Sequence, residues 1–154
     1  MKIQMILAEP HDAERIWSMQ VKSFAEQYRR YQDHDTNPAN EPLSKVQNRL
    51  NQPDSYYYII TADGQDAGAI RVIDRKDGSQ KEISPLFLLP EFRRKGIAAA
   101  AVRTVELIHG KRCWWLCAIQ NETGNLRFYE HLGYRRTGET HVLNDKVTLV
   151  FFEK

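Results

Sequence analysis

A short basic turn between residues 90 and 98 is the part of the sequence best suited to chemistry. It follows an apolar, strand-like run and leads into an alanine-rich segment that is typical of a helix. The first backbone N–H groups of a helix lack an intrahelical partner, and the helix dipole is positive at that end. Gly96 has no Cβ, so the backbone can approach a ligand closely there. The pattern predicts a site for a phosphate-bearing ligand.

Three cationic side chains, Arg93, Arg94 and Lys95, add positive charge to the same turn. They would suit phosphate oxygens, although a solvated basic turn would have the same composition. No Gly-Lys-Ser or Gly-Lys-Thr follows Gly96, which excludes the P-loop of nucleotide-binding proteins.

Hydrophobic periodicity predicts a mixed α/β chain with the element order βααβββαβαββ. With no linker or repeat, residues 1–154 are expected to form a single domain. Asp12 is expected to cap the first helix. The buried stripe of that helix is predicted to be Trp17, Val21, Phe24 and Tyr28. The predicted strands are residues 3–8, 56–61, 67–73, 82–89, 113–119, 134–142 and 147–152, and the predicted helices are 12–28, 43–50, 97–109 and 125–132.

Composition places the chain among soluble globular proteins, with 42% hydrophobic and 27% charged residues. A net charge of +2 is too small to suggest a nucleic-acid partner. No apolar stretch is long enough to span a membrane, and no signal peptide is evident. We therefore expect a cytoplasmic protein.

The cysteines and histidines show no metal-ligand spacing. Cys113 and Cys117 lie in an apolar run and are expected to be buried, inert thiols on a strand. The five histidines are expected to lie at the surface or at helix ends.

Two motifs carry a family resemblance. Residues 93–98 fit the pattern Gln/Arg-x-x-Gly-x-Gly/Ala, and residues 125–134 are similar to Asn-x-x-x-x-Phe-Tyr-x-x-x-Gly-Phe with one residue fewer after the asparagine. With one predicted strand between these motifs, the chain resembles the GCN5-related N-acetyltransferase (GNAT) superfamily over roughly residues 3–153. The resemblance implies a mixed, mostly antiparallel sheet flanked by helices. It also implies acetyl-CoA as cosubstrate, without a metal.

In this family the strand at residues 82–89 splays from the strand at 113–119, and the pantetheine arm of coenzyme A enters the gap. The resemblance implies that the N–H near Leu88 polarises the thioester carbonyl. Either Asn121 or Asn125 would bond the pantetheine amides, although Asn125 could instead cap a helix. The implied cosubstrate-binding residues are Leu86, Leu88, Arg93, Arg94, Lys95, Gly96, Ile97, Ala98, Asn121 and Asn125.

Two side chains are candidates for proton transfer. Tyr129 matches the family tyrosine that protonates the leaving thiolate, although it could simply pack on a helix face. A lysine-like amine has a pKa of about 10.4 and arrives protonated, so a base must take its proton. Glu82 matches a position where many members place that base, but it could be a solvated strand-end glutamate. Asp35 and Glu41 are weaker candidates.

The expected activity is transfer of acetyl from acetyl-CoA to a primary amine by direct attack in a ternary complex. No covalent acyl-enzyme is expected, because neither cysteine lies in the site motifs. The acceptor would be a small molecule, or a protein N-terminus or lysine, with residues 28–41 along its wall. The alternatives are a non-catalytic acyl-CoA-binding regulatory module and an RNA-directed acetyltransferase. Residues 147–152 could pair across a homodimer or lie inside their own sheet.

Overall fold

The computed structural model describes all 154 residues, and its centre is a seven-stranded sheet of order β1-β2-β3-β4-β5-β7-β6. All neighbouring strands are antiparallel except β4 and β5. The predicted element order and the mixed, mostly antiparallel sheet are confirmed. The strands are β1 (Ile3–Leu7), β2 (Ser55–Ala62), β3 (Gln65–Ile73), β4 (Lys81–Leu88), β5 (Trp114–Ile119), β6 (Arg135–Val142) and β7 (Thr148–Glu153).

Four helices flank the sheet, two on each face. The first pair is α1 (Ala13–Tyr31) and α2 (Leu43–Asn51), and the second pair is α3 (Ile97–His109) and α4 (Thr123–His131). None of the helices combines the length and the apolar character that a membrane crossing requires.

Each face of the sheet has its own apolar layer, which follows from the alternation of side chains along a strand. Here, the face covered by α1 and α2 is called the first face, and the face covered by α3 and α4 the second face. Buried residues of the first layer include Ile16, Val46, Tyr57 and Phe87. Buried residues of the second layer include Tyr58, Ile83, Val102, Trp114 and Phe152.

The buried stripe of α1 differs from the predicted one. The fully buried positions are Ala13, Ile16, Met19, Gln20 and Ser23, whereas the predicted Trp17, Val21, Phe24 and Tyr28 are half-buried. The polar Gln20 interrupts the apolar pattern of this stripe in the sequence. Gln20 is tolerated in the interior because its side-chain amide donates to the Pro38 carbonyl and to Glu41.

Asp12 occupies the predicted N-cap position of α1, but its side chain makes no cap hydrogen bond to the helix. The Asp12 carboxylate accepts the backbone N–H of Glu9 at 2.9 Å, so it closes a short 3-10 turn at Pro10–Asp12 instead of capping α1.

His109, at the end of α3, lies neither at the surface nor in a capping role. Its side chain is only 4% exposed, and its ring hydrogen-bonds to Asp74 and to the Tyr58 hydroxyl, both at 2.8 Å. This network fastens α3 to β2 and to the end of β3, which is a tertiary role that the sequence did not reveal.

Strand β7 lies between β5 and β6 and is hydrogen-bonded on both sides. The hypothesis that this strand pairs across a dimer is therefore wrong. The sheet edges are β1 and β6.

Gly68 in β3 allows β4 to come unusually close. A Cβ at this position would lie 2.1 Å from the Phe87 carbonyl oxygen and 2.9 Å from the Leu88 Cα. Backbone atoms cannot yield as a flexible side chain can, so this glycine fixes the position of the end of β4.

We expect Gly68→Ala to lower the free energy of unfolding by about 1–3 kcal/mol, because the methyl group must displace the β4 backbone. The measurement is urea unfolding. Gly124→Ala is the matched control, since a Cβ there meets no atom within 4 Å, and it should leave stability unchanged or raise it by up to about 1 kcal/mol. Equal stability of the two variants would contradict the close-approach argument.

Candidate active site

The site begins where β4 and β5 part. These parallel strands pair only at Lys81 with Trp114 and at Glu82 with Trp115. Beyond that point β4 continues to pair with β3, and β5 with β7. The predicted splay of the two strands is confirmed. It leaves a gap in the sheet whose two facing backbone edges lack strand partners.

The backbone of β4 presents donors to this gap. The Leu89 N–H donates to the Ala67 carbonyl at 2.8 Å, which makes residues 67 and 89 a hydrogen-bonded pair. Hydrogen-bonded and non-hydrogen-bonded pairs alternate along an antiparallel ladder. The N–H groups of Leu88 and Leu86 therefore point away from β3, towards the gap.

The basic turn leads from the end of β4 to the N-terminus of α3. Arg94 and Gly96 both have positive φ, at 60° and 80°, so successive backbone groups curve around a concave surface. Gly96 is the N-cap residue of α3, and no side chain caps this helix. The N–H groups of the first helical turn are consequently available to an anion.

The three basic side chains of the turn have different surroundings. The Arg93 guanidinium donates to the carbonyl oxygens of Leu88 at 3.2 Å and Ser23 at 2.5 Å, so it joins β4 to α1. Arg94 is exposed and lines the cavity described next. Lys95 is exposed, with its ammonium 6.0 Å from the centre of the Phe92 ring.

A cavity of about 470 Å³ extends from this turn to the gap between the strands. Seven of the predicted site residues line it: Leu86, Leu88, Arg93, Arg94, Ala98, Asn125 and Tyr129. The remaining five do not. Lys95, Gly96 and Asn121 are exposed outside the lining, the Ile97 side chain is buried in the second layer, and Glu82 lies at the start of the gap.

Asn125 does not cap α4, because the helix begins at Thr123 and the N-cap position is Glu122. Asn125 lies in the first helical turn, and its N–H donates to the Glu122 carbonyl at 3.0 Å. Of the two candidate asparagines, it is the one that lines the cavity.

Tyr129 combines a packed ring with a place at the cavity. Its ring contacts those of Phe128, Tyr134 and Phe152, at centroid distances of 5.0, 5.9 and 6.1 Å. Burial raises the pKa of its hydroxyl well above the usual value, and the nearby Cys117 adds to the rise. The hydroxyl therefore keeps its proton at neutral pH.

Glu82 is half-buried on the first face of the sheet, where β4 and β5 still pair. Burial raises the pKa of its carboxyl, while the positive charges of Arg71 and Arg75 oppose the rise. Desolvation dominates, so this carboxylate accepts a proton more readily than an ordinary glutamate does. A solvated strand-end glutamate would lack this shift.

The cysteines differ from the expectation of two buried, inert thiols. Cys113 is exposed, precedes β5 and has φ of 67°. Cys117 is half-buried on the first face of β5, beside the candidate site. Burial, and then the Glu82 charge, raise the pKa of Cys117, so it stays a thiol and is a poor nucleophile.

The loop between α1 and α2 offers fewer free carboxylates than its sequence suggested. Glu41 is held by Arg49 through bonds of 2.8 and 2.7 Å. Asp33 is buried and accepts from the side chains of Thr36 and Asn37. Asp35 remains exposed.

Sequence reasoning missed the contribution of α1 to the cavity. Phe24 and Arg30 line it, together with Glu122 at the start of α4. Arg30 and Glu122 form an ion pair of 2.6 Å across 92 positions of the chain. No local pattern signals a contact between residues so far apart, since the tertiary fold alone brings them together.

Comparison with known proteins agrees with this geometry. Residues 53–136, more than half of the chain, match the family model "Acetyltransferase (GNAT) domain". No curated protein matches the chain in sequence.

Solved structures with the same fold are distant in sequence. The ribosomal-protein-S18-alanine N-acetyltransferase from Escherichia coli aligns with a TM-score of 0.76 at 11% identity, over 98% of this chain and 92% of the other. An acetyltransferase from Thermus thermophilus aligns with a TM-score of 0.75 at 13% identity, over 100% and 97%. The PaiA N-acetyltransferase from Thermoplasma acidophilum, solved in complex with coenzyme A, aligns with a TM-score of 0.71 at 16% identity, over the whole of both chains.

The family match spans the parting strands, the basic turn and the segment that carries Tyr129. The fold of the whole chain agrees with it. The chain therefore belongs to the GNAT acetyltransferase family.

Proposed function

We propose that the protein transfers the acetyl group of acetyl-CoA to a primary amine by direct attack within a ternary complex. The observation that carries this proposal is the gap between β4 and β5, which leads to an uncapped helix N-terminus. The gap suits an extended amide-bearing arm, and the helix end suits the phosphates at the other end of that arm. The coenzyme A complex of the PaiA N-acetyltransferase supports this use of the fold.

The turn and α3 would hold the pyrophosphate. Backbone N–H groups between Arg94 and Ala98 surround a concave surface, and their partial positive charges face the anion. Arg94 adds a full positive charge at the cavity wall. Lys95 is exposed and free to reach a phosphate oxygen.

Strand β4 would hold the pantetheine arm and the acetyl group. An extended arm in the gap bonds the free edge of β4 as an added strand does. The N–H groups of Leu86 and Leu88 point into this gap, so one of them can donate to the thioester carbonyl. Its hydrogen bond strengthens as negative charge develops on that oxygen. Asn125 at the cavity wall can bond an amide of the arm.

Glu82 and Tyr129 would move the protons. Glu82 accepts a proton from the ammonium, directly or through water, and frees the amine nitrogen to attack the carbonyl carbon. The new C–N bond replaces the C–S bond, and Tyr129 protonates the departing thiolate. The excess proton on the new amide nitrogen leaves through water and restores the Tyr129 phenol, so the net reaction releases the single proton held by Glu82. The raised pKa of Glu82 suits its role, because the carboxylate accepts a proton more readily than an ordinary glutamate. Tyr129 keeps its proton at neutral pH and can give it only to a strong base such as the departing thiolate. The acceptor is a small-molecule amine, or a protein N-terminus or lysine.

The proposal is tested by isothermal titration with acetyl-CoA, followed by measurement of released coenzyme A with a panel of amines. Binding together with amine-stimulated release establishes the transferase. Binding without turnover on any amine would replace the proposal with a regulatory acyl-CoA-binding module. Absence of binding would overturn it entirely.

We expect Gly96→Glu to weaken acetyl-CoA binding by at least about tenfold, because a carboxylate would stand at the pyrophosphate position and repel it. The matched control is Gly78→Glu. Both glycines have positive φ, 80° and 88°, and a Cβ added to either would meet no atom within 4 Å, so both variants carry similar backbone strain. Equal loss of affinity in the two variants would remove the turn from the binding site.

We expect Tyr129→Phe to lower kcat by about 100-fold, because the ring packing is kept while the proton donor is lost. Affinity for acetyl-CoA should not change. Tyr58→Phe is the control, since it removes a tyrosine hydroxyl that bonds His109 away from the cavity. A wild-type kcat in Tyr129→Phe would exclude the hydroxyl as the acid.

The Glu82 carboxyl should control the acid side of the pH–rate profile. A base acts only when ionised, and burial raises the pKa of Glu82 above the ordinary value of 4.5. The rate constant kcat should therefore fall, as pH decreases, at a higher pH than an ordinary glutamate would give. Glu82→Gln should lower kcat by about 100-fold and abolish this limb, whereas Glu139→Gln on exposed β6 should change neither.

Arg75→Gln tests whether the acid limb belongs to Glu82 through the direction in which the limb moves. The Arg75 charge lowers the pKa of Glu82, so its removal should move the acid limb to higher pH. If the acid limb does not move in Arg75→Gln, or if it persists in Glu82→Gln, then the limb belongs to the titration of another group.

A further inference from the structure

The first face of the sheet is only half covered. Helices α1 and α2 pack against β2, β3 and β4. No helix covers the first face of β5 and β7. Along these strands, every second side chain is buried in the second layer, and the side chains between them lie on the first face. These side chains, which are all half-buried, are Trp115, Cys117, Ile119, Leu149 and Phe151.

Two aromatic rings form the floor of this uncovered area. Trp115 and Phe151 lie on neighbouring strands and stack, with ring centroids 6.1 Å apart and planes inclined by 22°. Trp115 is also the strand partner of Glu82, so the carboxyl lies beside the stacked pair. Cys117 follows on the same face, about 6.6 Å further along the strand, towards Tyr129.

The far end of this area is closed by contacts between loops. The Asn144 amide donates to the Thr36 hydroxyl at 3.2 Å, and the Lys146 ammonium donates to the Gln32 carbonyl at 3.1 Å. These bonds join the loop after α1 to the turn between β6 and β7, near the carboxyl end of β5. The part of the uncovered area that extends from these contacts to the stacked rings is called the recess here.

The charges around the recess suit one ammonium group. Glu82 is a carboxylate without an ion pair, whereas Glu41 of the overhanging loop is paired with Arg49. The Arg71 guanidinium lies close enough to Glu82 to lower its pKa, and it donates to Ser55 and to the Ser84 carbonyl. Glu153, the strand partner of Trp115, is exposed near the end of β7. A polycationic acceptor would meet these arginines, and a monoamine would need only Glu82.

We propose that the acceptor is a small monoamine with a flat aromatic group, which stacks on Trp115 and Phe151 while the amine passes Glu82 towards Tyr129. This inference rests on the proposed acetyl transfer to a primary amine. Trp115 and Phe151 then determine specificity, because a flat ring gains dispersion and stacking contact with them that an aliphatic chain does not.

The first test compares amines as acceptors: phenethylamine and tryptamine against n-hexylamine, spermidine and a peptide N-terminus. We expect kcat/KM for the aromatic amines to exceed that of the others by about tenfold or more. A preference for spermidine or for the peptide would overturn the inference while leaving the transferase intact.

The second test uses variants that keep an apolar side chain and remove the ring. Trp115→Leu and Phe151→Leu should raise KM for phenethylamine by about tenfold, with little change for n-hexylamine and none in acetyl-CoA affinity. Tyr56→Leu is the matched control, because Tyr56 packs on the second face beside His109. If Trp115→Leu and Tyr56→Leu have the same KM for phenethylamine, the inference fails.

The third test needs no acetyl transfer. Binding of 4-nitrophenethylamine should quench tryptophan emission in the protein, and the quenching should be lost in Trp115→Phe, which keeps the stack but not the emitting group. Quenching without turnover on any amine would support the aromatic recess and contradict the proposed transfer. No quenching in the wild-type protein would contradict the recess, even if other amines are acetylated.

Discussion

The parting of β4 from β5 is the constraint on which the rest of the structure depends. Two parallel strands that begin as partners at Glu82 and Trp115 separate at once, and each then relies on its other neighbour for hydrogen bonds. The facing edges keep N–H and C=O groups without a strand partner, which a protein interior tolerates only where water or a ligand can satisfy them. Pro85, which has no N–H, lies on the parting stretch, and Gly68 holds the end of β4 close to β3.

Helix α1 makes contacts on both sides of the gap. At its start Arg15 pairs with Asp66 on β3, and in its middle the Ser23 carbonyl accepts from Arg93. At its end Arg30 pairs with Glu122 beyond β5. Its contacts thus reach from β3 to the start of α4, on the other side of the opening. The same helix lines the cavity and carries the loop that overhangs the recess, so cosubstrate and acceptor would meet beneath one rigid element.

Burial gives the candidate site its electrostatic character. The pKa values of Glu82, Cys117 and Tyr129 are all raised, and for each of them desolvation is the largest cause. Burial disfavours the charged form of an acid, so these three groups are shifted together towards their neutral states. Such a site favours the neutral amine over the ammonium. It also keeps the Tyr129 phenol protonated.

The sequence by itself determined the element order, the basic turn before α3 and the family resemblance, because these depend on periodicity, turn residues and spacing along the chain. The tertiary structure decided which faces meet. It buried the polar side chains of Gln20 and His109 in hydrogen-bond networks, which their polarity in the sequence did not suggest. It also paired Glu41 with Arg49 and placed Cys117 close to both Glu82 and Tyr129. It also joined Arg30 to Glu122 and left Trp115 stacked on Phe151 without a covering helix. These contacts link residues far apart in the chain, and only the packing of the whole sheet fixes their geometry.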